Sequence, residues 1–196
     1  MYYKEVKAVA AKLAELKKKK HTVLIGIDGG GGAGKSTFSR ELRSLISDCL
    51  IIEVDDFYKS VAQRVEITEA VPIHSNFEHA RLEKEVLVPL KNNKPAKFQI
   101  YSWQKDRLLP EAHVAKPGGY VIVEGLGILG PKLASYFDYK IWLEAPEDVR
   151  RKRGLGRDTE EWEEVWDNEY LPQDARYIKE HNPQAIADIV IKTAGA

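Results

Sequence analysis

The chain has 196 residues, 43% of them hydrophobic and 31% charged, which are the proportions of one globular domain with a full core. Thirty Lys and Arg balance thirty Asp and Glu, so no overall field draws the chain to nucleic acid or to an anionic membrane, and neither is expected as a partner. No apolar stretch approaches the ~20 residues of a membrane span, no secretory apolar region opens the chain, and one cysteine, Cys49, excludes an internal disulfide framework; the expected setting is the reducing cytoplasm.

Residues 2–20 read as an amphipathic helix with Val6, Val9, Ala10, Leu13 and Leu16 on its apolar stripe and a lysine run at its end. An apolar run of strand length follows at residues 22–28. It leads into Gly29-Gly30-Gly31-Gly32-Ala33-Gly34-Lys35-Ser36-Thr37, and residues 38–46 are apolar at helical spacing. Further strands are expected at residues 50–54, 96–101, 120–123, 139–143 and 187–192. Helices are expected at 79–92, 131–136, 146–153 and 160–180. Strands that alternate with helices and are nearly all apolar predict a parallel sheet covered on both faces, an α/β fold. Residues 61–76 have no clear period and read as a mobile, site-forming loop.

The segment from Gly29 to Thr37 fits the phosphate-binding pattern G-x-x-x-x-G-K-[ST] in its required setting of strand, loop and helix. Glycines let the backbone wrap an anion. The loop N–H groups and the helix N-terminus then point at phosphate oxygens. Lys35 is expected at the β/γ-phosphates and the Ser36 hydroxyl on Mg²⁺. The competing reading is a plain glycine turn.

In open α/β sheets ligands sit beyond the carboxyl ends of strands. Asp55 and Asp56 follow the second strand, and Asp55 is placed to take a proton from an attacking hydroxyl unless the pair merely starts a loop. Glu124 ends the strand at 120–123 and is a candidate Mg²⁺ ligand, or else a capping acid. Arg150, Arg151, Lys152, Arg153 and Arg157 cluster after the strand at 139–143. They form either a closing, charge-neutralising segment or a solvated helix face. Tyr58, Glu78, Tyr101 and Trp103 are candidates for an acceptor pocket, with ordinary packing and a helix-start acid as alternatives. No Cys/His metal cluster is present in the sequence.

Taken together, Gly29 to Thr37, Asp55-Asp56-Phe57-Tyr58, Asn76-Phe77-Glu78-His79, Tyr101-Ser102-Trp103, Glu124-Gly125, Gly156-Arg157-Asp158 and the stretch from Ala187 to Ile191 resemble the uridine kinase-like family of P-loop kinases, which also takes in phosphoribulokinase. The resemblance runs from about Val23 to Lys192. It implies a P-loop NTPase three-layer sandwich with a central parallel sheet of about five strands. It implies a single kinase domain over residues 1–196, with residues 1–20 as an added helix and residues 146–165, approximately, as a lid. The implied activity is transfer of the γ-phosphoryl group of ATP (or GTP), with Mg²⁺, to a primary hydroxyl of a nucleoside.

In that picture Asp55 is the base, Lys35 and Arg157 assist catalysis, and Gly29, Gly30, Gly31, Gly32, Ala33, Gly34, Lys35, Ser36, Thr37 and Arg153 hold the nucleotide. Ser36 and Glu124 hold the metal, while Tyr58, Glu78, Tyr101 and Arg157 meet the acceptor. Glu78 stands where the family usually has Asp, and Gln104 to Arg107 lacks the pyrimidine-selecting histidine. Nicotinamide riboside or another metabolite is therefore the alternative acceptor, since Asp55 to Lys59 with Trp166 and Tyr170 also looks like nicotinamide riboside kinases. A regulatory P-loop ATPase is the alternative of another class. A homo-oligomer is left open.

Overall fold

The computed structural model describes residues 3–158 and 160–193. Helix α1 (Tyr3–Lys17) precedes strand β1 (Thr22–Asp28), the glycine loop and helix α2 (Lys35–Leu45). Tyr2, assigned to the first helix from the sequence, lies outside the described residues. Strands β2 (Cys49–Glu53), β5 (Gly119–Glu124), β6 (Tyr139–Glu144) and β7 (Ile189–Lys192) join β1 in one five-stranded sheet in the order β2-β5-β1-β6-β7. Every pairing in it is parallel.

Alternation along β1 makes the three layers. Val23, Ile25 and Ile27 face α1 and α2, packing with Val6, Val9, Leu13, Phe38 and Leu42. Leu24 faces the opposite layer of Leu82, Val86, Leu87 and Leu90. Those leucines belong to α3, a helix running through His79–Leu82, a π-turn at Glu83–Leu87, and Val88–Lys91. The π-turn comes just ahead of Pro89, whose ring and missing N–H disfavour a normal α-turn there. The same device recurs in α5, which runs through Glu163–Val165, a π-turn at Trp166–Tyr170 and Leu171–His181, with Pro172 following the turn. Between β6 and α5 lies helix α4 (Glu147–Asp158).

Two segments differ from the sequence expectation. Residues 96–101, grouped with the other strands, form β3 (Ala96–Ser102), which leaves the main sheet. It pairs antiparallel with β4 (Arg107–Ala115) in a separate hairpin. Strand β4 is almost wholly exposed, so it shows no apolar run by which the sequence could announce it. Residues 131–136 keep only a 3₁₀ turn at Ala134–Tyr136.

Candidate active site

The carboxyl ends of β2, β5 and β1 open onto a cleft of about 640 Å³. At its floor is the glycine loop. Gly29, Gly32 and Gly34 have φ of 154°, 75° and 96°, the region that glycine alone enters freely. Gly34 precedes α2 without any side-chain cap, so the first N–H groups of an 11-residue helix face the cleft unserved by the chain. Lys35 Nζ donates to Gly29 O (2.7 Å) and Gly30 O (3.2 Å), which folds the ammonium back across the loop. Gly31, Gly32, Gly34, Lys35, Ser36 and Thr37 line the cleft. Gly29, Gly30 and Ala33 form the buried side of the loop.

Two acids stand over this floor. Glu124, 4% exposed, ends β5 and is in register with Ile27 of β1 and Glu53 of β2. Burial pushes its carboxyl up, opposed by the Lys35 charge and a hydrogen bond with Ser36. Asp55 sits two residues past β2, in the 3₁₀ turn Val54–Phe57, and faces the cleft. The surrounding protein pushes its pKa up, while Lys35 and Arg157 pull it down. Asp56 turns away from the cleft. Burial, then Glu53 and Asp55, raise it to about 6. No group of three or more His, Cys, Asp or Glu side chains among the described residues could hold a metal ion. Ser36 and Glu124 are the oxygen-bearing side chains beside Lys35 that could hold a hard cation such as Mg²⁺, an ion that commonly takes its remaining oxygens from phosphate and water.

One wall of the cleft is aromatic. Tyr58 and Trp103 lie with ring centroids 4.6 Å apart, and Phe77 meets Tyr58 edge-on at 4.7 Å; all three line the cleft. Tyr101 stands behind them, 4% exposed, donating its hydroxyl to Asp106 Oδ1 (2.6 Å) and accepting from Arg64 Nη2 (2.8 Å). The Arg64 guanidinium lies 4.8 Å from the Tyr58 ring and 5.2 Å from Trp103, a cation–π backing for the wall. Trp103, not Tyr101, is thus the ring of that strand end that reaches the cleft. Glu78 is set apart from it. It lines an adjoining cavity and pairs with Arg81 Nη1 at 2.8 Å, one helical turn away. Arg81 is itself anchored on the carbonyls of Asp56 and Gln99.

The arginine cluster divides. Arg151 pairs with Asp167 and Glu163 at the surface. Arg153 lines the cleft and donates to Thr193 O (2.6 Å). Arg157 lines it too, paired with Asp158 and largely exposed. Arg150 is buried against Asp174. Of the region read as a lid, Thr159 lies outside the described residues.

Several site residues escaped the sequence reading. Asp174 and Trp162 line the cleft. Asp28 is fully buried beneath it and accepts N–H groups from Gly29 (2.7 Å) and Leu129 (2.9 Å). The signal for Asp28 was present, a carboxylate at the end of an otherwise apolar strand. Asp174 carried none, since an acid inside a polar helix looks like solvated surface.

The family model described as "Phosphoribulokinase / Uridine kinase family" matches residues 24–168, which span the glycine loop, both acids and Arg157. The chain belongs to this family. A uridine kinase of Clostridium novyi is 32% identical over 188 residues, covering 88% of each chain. A uridine kinase of Borrelia duttonii is 31% identical over 141 residues, covering 69% of this chain and 66% of its own. Among solved structures, a protein described as a possible uridine kinase from Bacillus stearothermophilus superposes with a TM-score of 0.75 at 17% identity, covering 97% of this chain and all of the other; at that identity the likeness is one of fold. Membership makes the protein a P-loop, nucleotide-binding member of a kinase family, and its five-stranded parallel sheet is the expected frame. No helix among the described residues is long and apolar enough to cross a membrane.

Proposed function

We propose that the protein is a small-molecule kinase that transfers the γ-phosphoryl group of ATP to the primary hydroxyl of a nucleoside, in the manner of uridine kinases. One observation carries the reading. Asp55 opens into the same cleft as Lys35, Ser36 and Glu124, between the phosphate loop and a wall of aromatic rings. A nucleotide switch needs the loop but has no use for a carboxylate base beside a pocket for a flat ring.

The uncapped start of α2 and the loop N–H groups hold the β- and γ-phosphates. Lys35 leaves the loop carbonyls to neutralise the same oxygens. Ser36 and Glu124 would hold Mg²⁺, which would supply positive charge to the phosphates when bound. Asp55 accepts the proton of the acceptor hydroxyl as that oxygen bonds to the γ-phosphorus and the bond to the ADP oxygen breaks. A carboxylate with a raised pKa is a stronger base, and Lys35 and Arg157 oppose the rise that burial causes. Arg157 is exposed enough to swing from Asp158 onto the transferring group. Tyr58 and Trp103, packed on each other, present an aromatic wall against which the acceptor's ring is held. Arg153, on the cleft wall with the phosphate loop, is assigned to the nucleotide.

Nicotinamide riboside is the second acceptor reading, favoured by the six aromatic residues Tyr58, Phe77, Trp103, Trp162, Trp166 and Tyr170 around one cleft. Aromatic faces accept several flat rings, and a cationic one gains further from them. The test is an ADP-release screen over uridine, cytidine, nicotinamide riboside, pantothenate and sugar phosphates, with Lys35→Ala as control. Stimulation by ribosides supports the reading. Activity confined to a non-sugar alcohol sinks the riboside assignment, and no stimulation by any acceptor sinks the kinase.

A further inference from the structure

The phosphate-loop pattern requires glycine at positions 29 and 34 and leaves 30, 31 and 32 open. All three are nonetheless glycine. Gly30 and Gly31 are not among the glycines with positive φ, so their backbone would admit alanine. The reason for glycine is space. A Cβ on Gly30 would overlap Arg150 Nη1 and stand 2.8 Å from Asp174 Oδ2. One on Gly31 would meet the Trp166 ring at 3.1 Å, and one on Gly32 would run into the Arg150 carbonyl. The face of the loop turned to α4 and α5 is therefore covered by Arg150 of the one and by Trp166 and Asp174 of the other.

The cover is polar at its centre. Asp174, 2% exposed, accepts the Gly31 N–H at 2.8 Å. Arg150, 6% exposed, donates Nη1 to Asp174 Oδ2 (2.5 Å) and to the Gly31 carbonyl (3.2 Å). One buried ion pair thus holds both polar backbone groups of a single loop residue. The pairing also cancels a carboxylate charge that would otherwise repel phosphate beside the cleft. Trp166, Tyr170, Asp174 and Tyr177 follow at spacings of four, four and three, so one stripe of α5 lies along the loop. Tyr177 extends the grip by donating its hydroxyl to Asp28 at 2.7 Å, directly ahead of Gly29.

We propose that Arg150 and Asp174 are positioning residues of the phosphate loop: by clamping the N–H and C=O of Gly31 they fix the opening that receives the nucleotide's terminal phosphates, and Gly30 is glycine so that this clamp can sit where its side chain would be. The inference rests on the nucleotide-binding reading of the loop. It makes helices α4 and α5 part of the nucleotide site. A change at Gly31 is felt at Arg150 within the segment read as the lid, and the reverse holds.

The test measures the dissociation constant of MgATP by equilibrium dialysis, without any acceptor, for the wild-type protein, Asp174→Asn and Gly30→Ala. Asp174→Asn keeps shape and an acceptor for Gly31 but removes the charge. Gly30→Ala removes no partner and only pushes a methyl against the pair, so it serves where the first variant fails to fold. Melting temperatures identify a range in which the variants remain folded. The clamp predicts MgATP affinity weaker by about tenfold or more in the folded variants, the scale of one charge-assisted hydrogen bond. A merely structural role would lower the melting temperature and leave the constant alone. Variants that bind MgATP within about twofold of a binding wild type overturn the clamp alone; a wild type that binds no MgATP overturns the nucleotide reading with it.

Discussion

The hydroxyl of Tyr177 donates to Oδ2 of Asp28 at 2.7 Å, joining the last long helix of the chain to the end of its first strand. Asp28 is fully buried, and besides this hydroxyl it accepts the N–H groups of Gly29 and Leu129. Its carboxylate thus ties together the phosphate loop, the segment after Glu124 and α5. Tyr177→Phe removes one donor from a buried acid and leaves the ring in place. Hydrogen bonds to charged groups contribute roughly 1.5–3 kcal/mol, so the variant should lose about that much unfolding free energy in urea. A loss under about 0.5 kcal/mol would mean that the hydroxyl is not holding the carboxylate.

Asp28 and Asp56 contribute to stability with a pH dependence opposite to that of an ordinary paired carboxylate. Burial raises Asp28 to about 6, and burial with Glu53 and Asp55 raises Asp56 to about 6. A carboxyl with a higher pKa folded than unfolded takes up a proton on folding. Its contribution is fully present below the unfolded value of ~3.9 and is lost as pH rises through about 6. Asp106, Asp138, Asp158 and Asp167 are shifted down, and their contribution is lost only as pH falls below the ordinary carboxylate range. Burial pushes His74 down to about 3 and lowers His79 as well, and a histidine with a lowered pKa loses its contribution as pH falls below the ordinary imidazole range, so these two oppose Asp28 and Asp56 in the same window. The melting temperature at pH 5 minus that at pH 7 should therefore be lower in Asp56→Asn than in the wild-type protein, and an unchanged difference would remove Asp56 from this account.

Arg157 differs from Arg150 in every respect that bears on folding. Its side chain is 70% exposed, and its partner is the adjacent Asp158. Exposed pairs of this kind contribute little stability. Arg157→Ala should leave the melting temperature within about 2 °C and lower kcat by ~10-fold or more, with a smaller change in the KM for ATP. A variant that loses stability but not turnover would make Arg157 an ordinary helix-end cation.

Much of this was legible in the chain. The loop from Gly29 to Thr37 announces itself by spacing, and apolar strands with an acid at the end place Glu124 and Asp55 on one rim. Strand β5 is readable because burial on both faces leaves it few polar residues, while β2, half exposed at the edge of the sheet, is readable by its apolar run alone. The β3–β4 hairpin was not readable, because β4 is exposed and pairs only with its neighbour. Asp174, and the contact that the expected Arg150 makes with it, were hidden for a different reason. Their roles exist only where two helices meet the glycine loop, and no local pattern encodes that meeting. Glu78 shows the converse: its position next to Phe77 is as expected, yet the helical turn to Arg81 pairs it outside the cleft.

In the proposed reaction Asp55 is the base of a phosphoryl transfer to an acceptor hydroxyl. The most direct measurement compares wild type and Asp55→Asn for ADP release with the best riboside of the screen, alongside MgATP affinity measured without acceptor. The amide keeps the size of the side chain and removes the charge and the basicity. General-base contributions are typically about 10²–10⁴-fold, so kcat should fall by that order while MgATP affinity changes by less than about threefold. Turnover that holds while MgATP affinity collapses would make Asp55 a metal ligand and contradict the account.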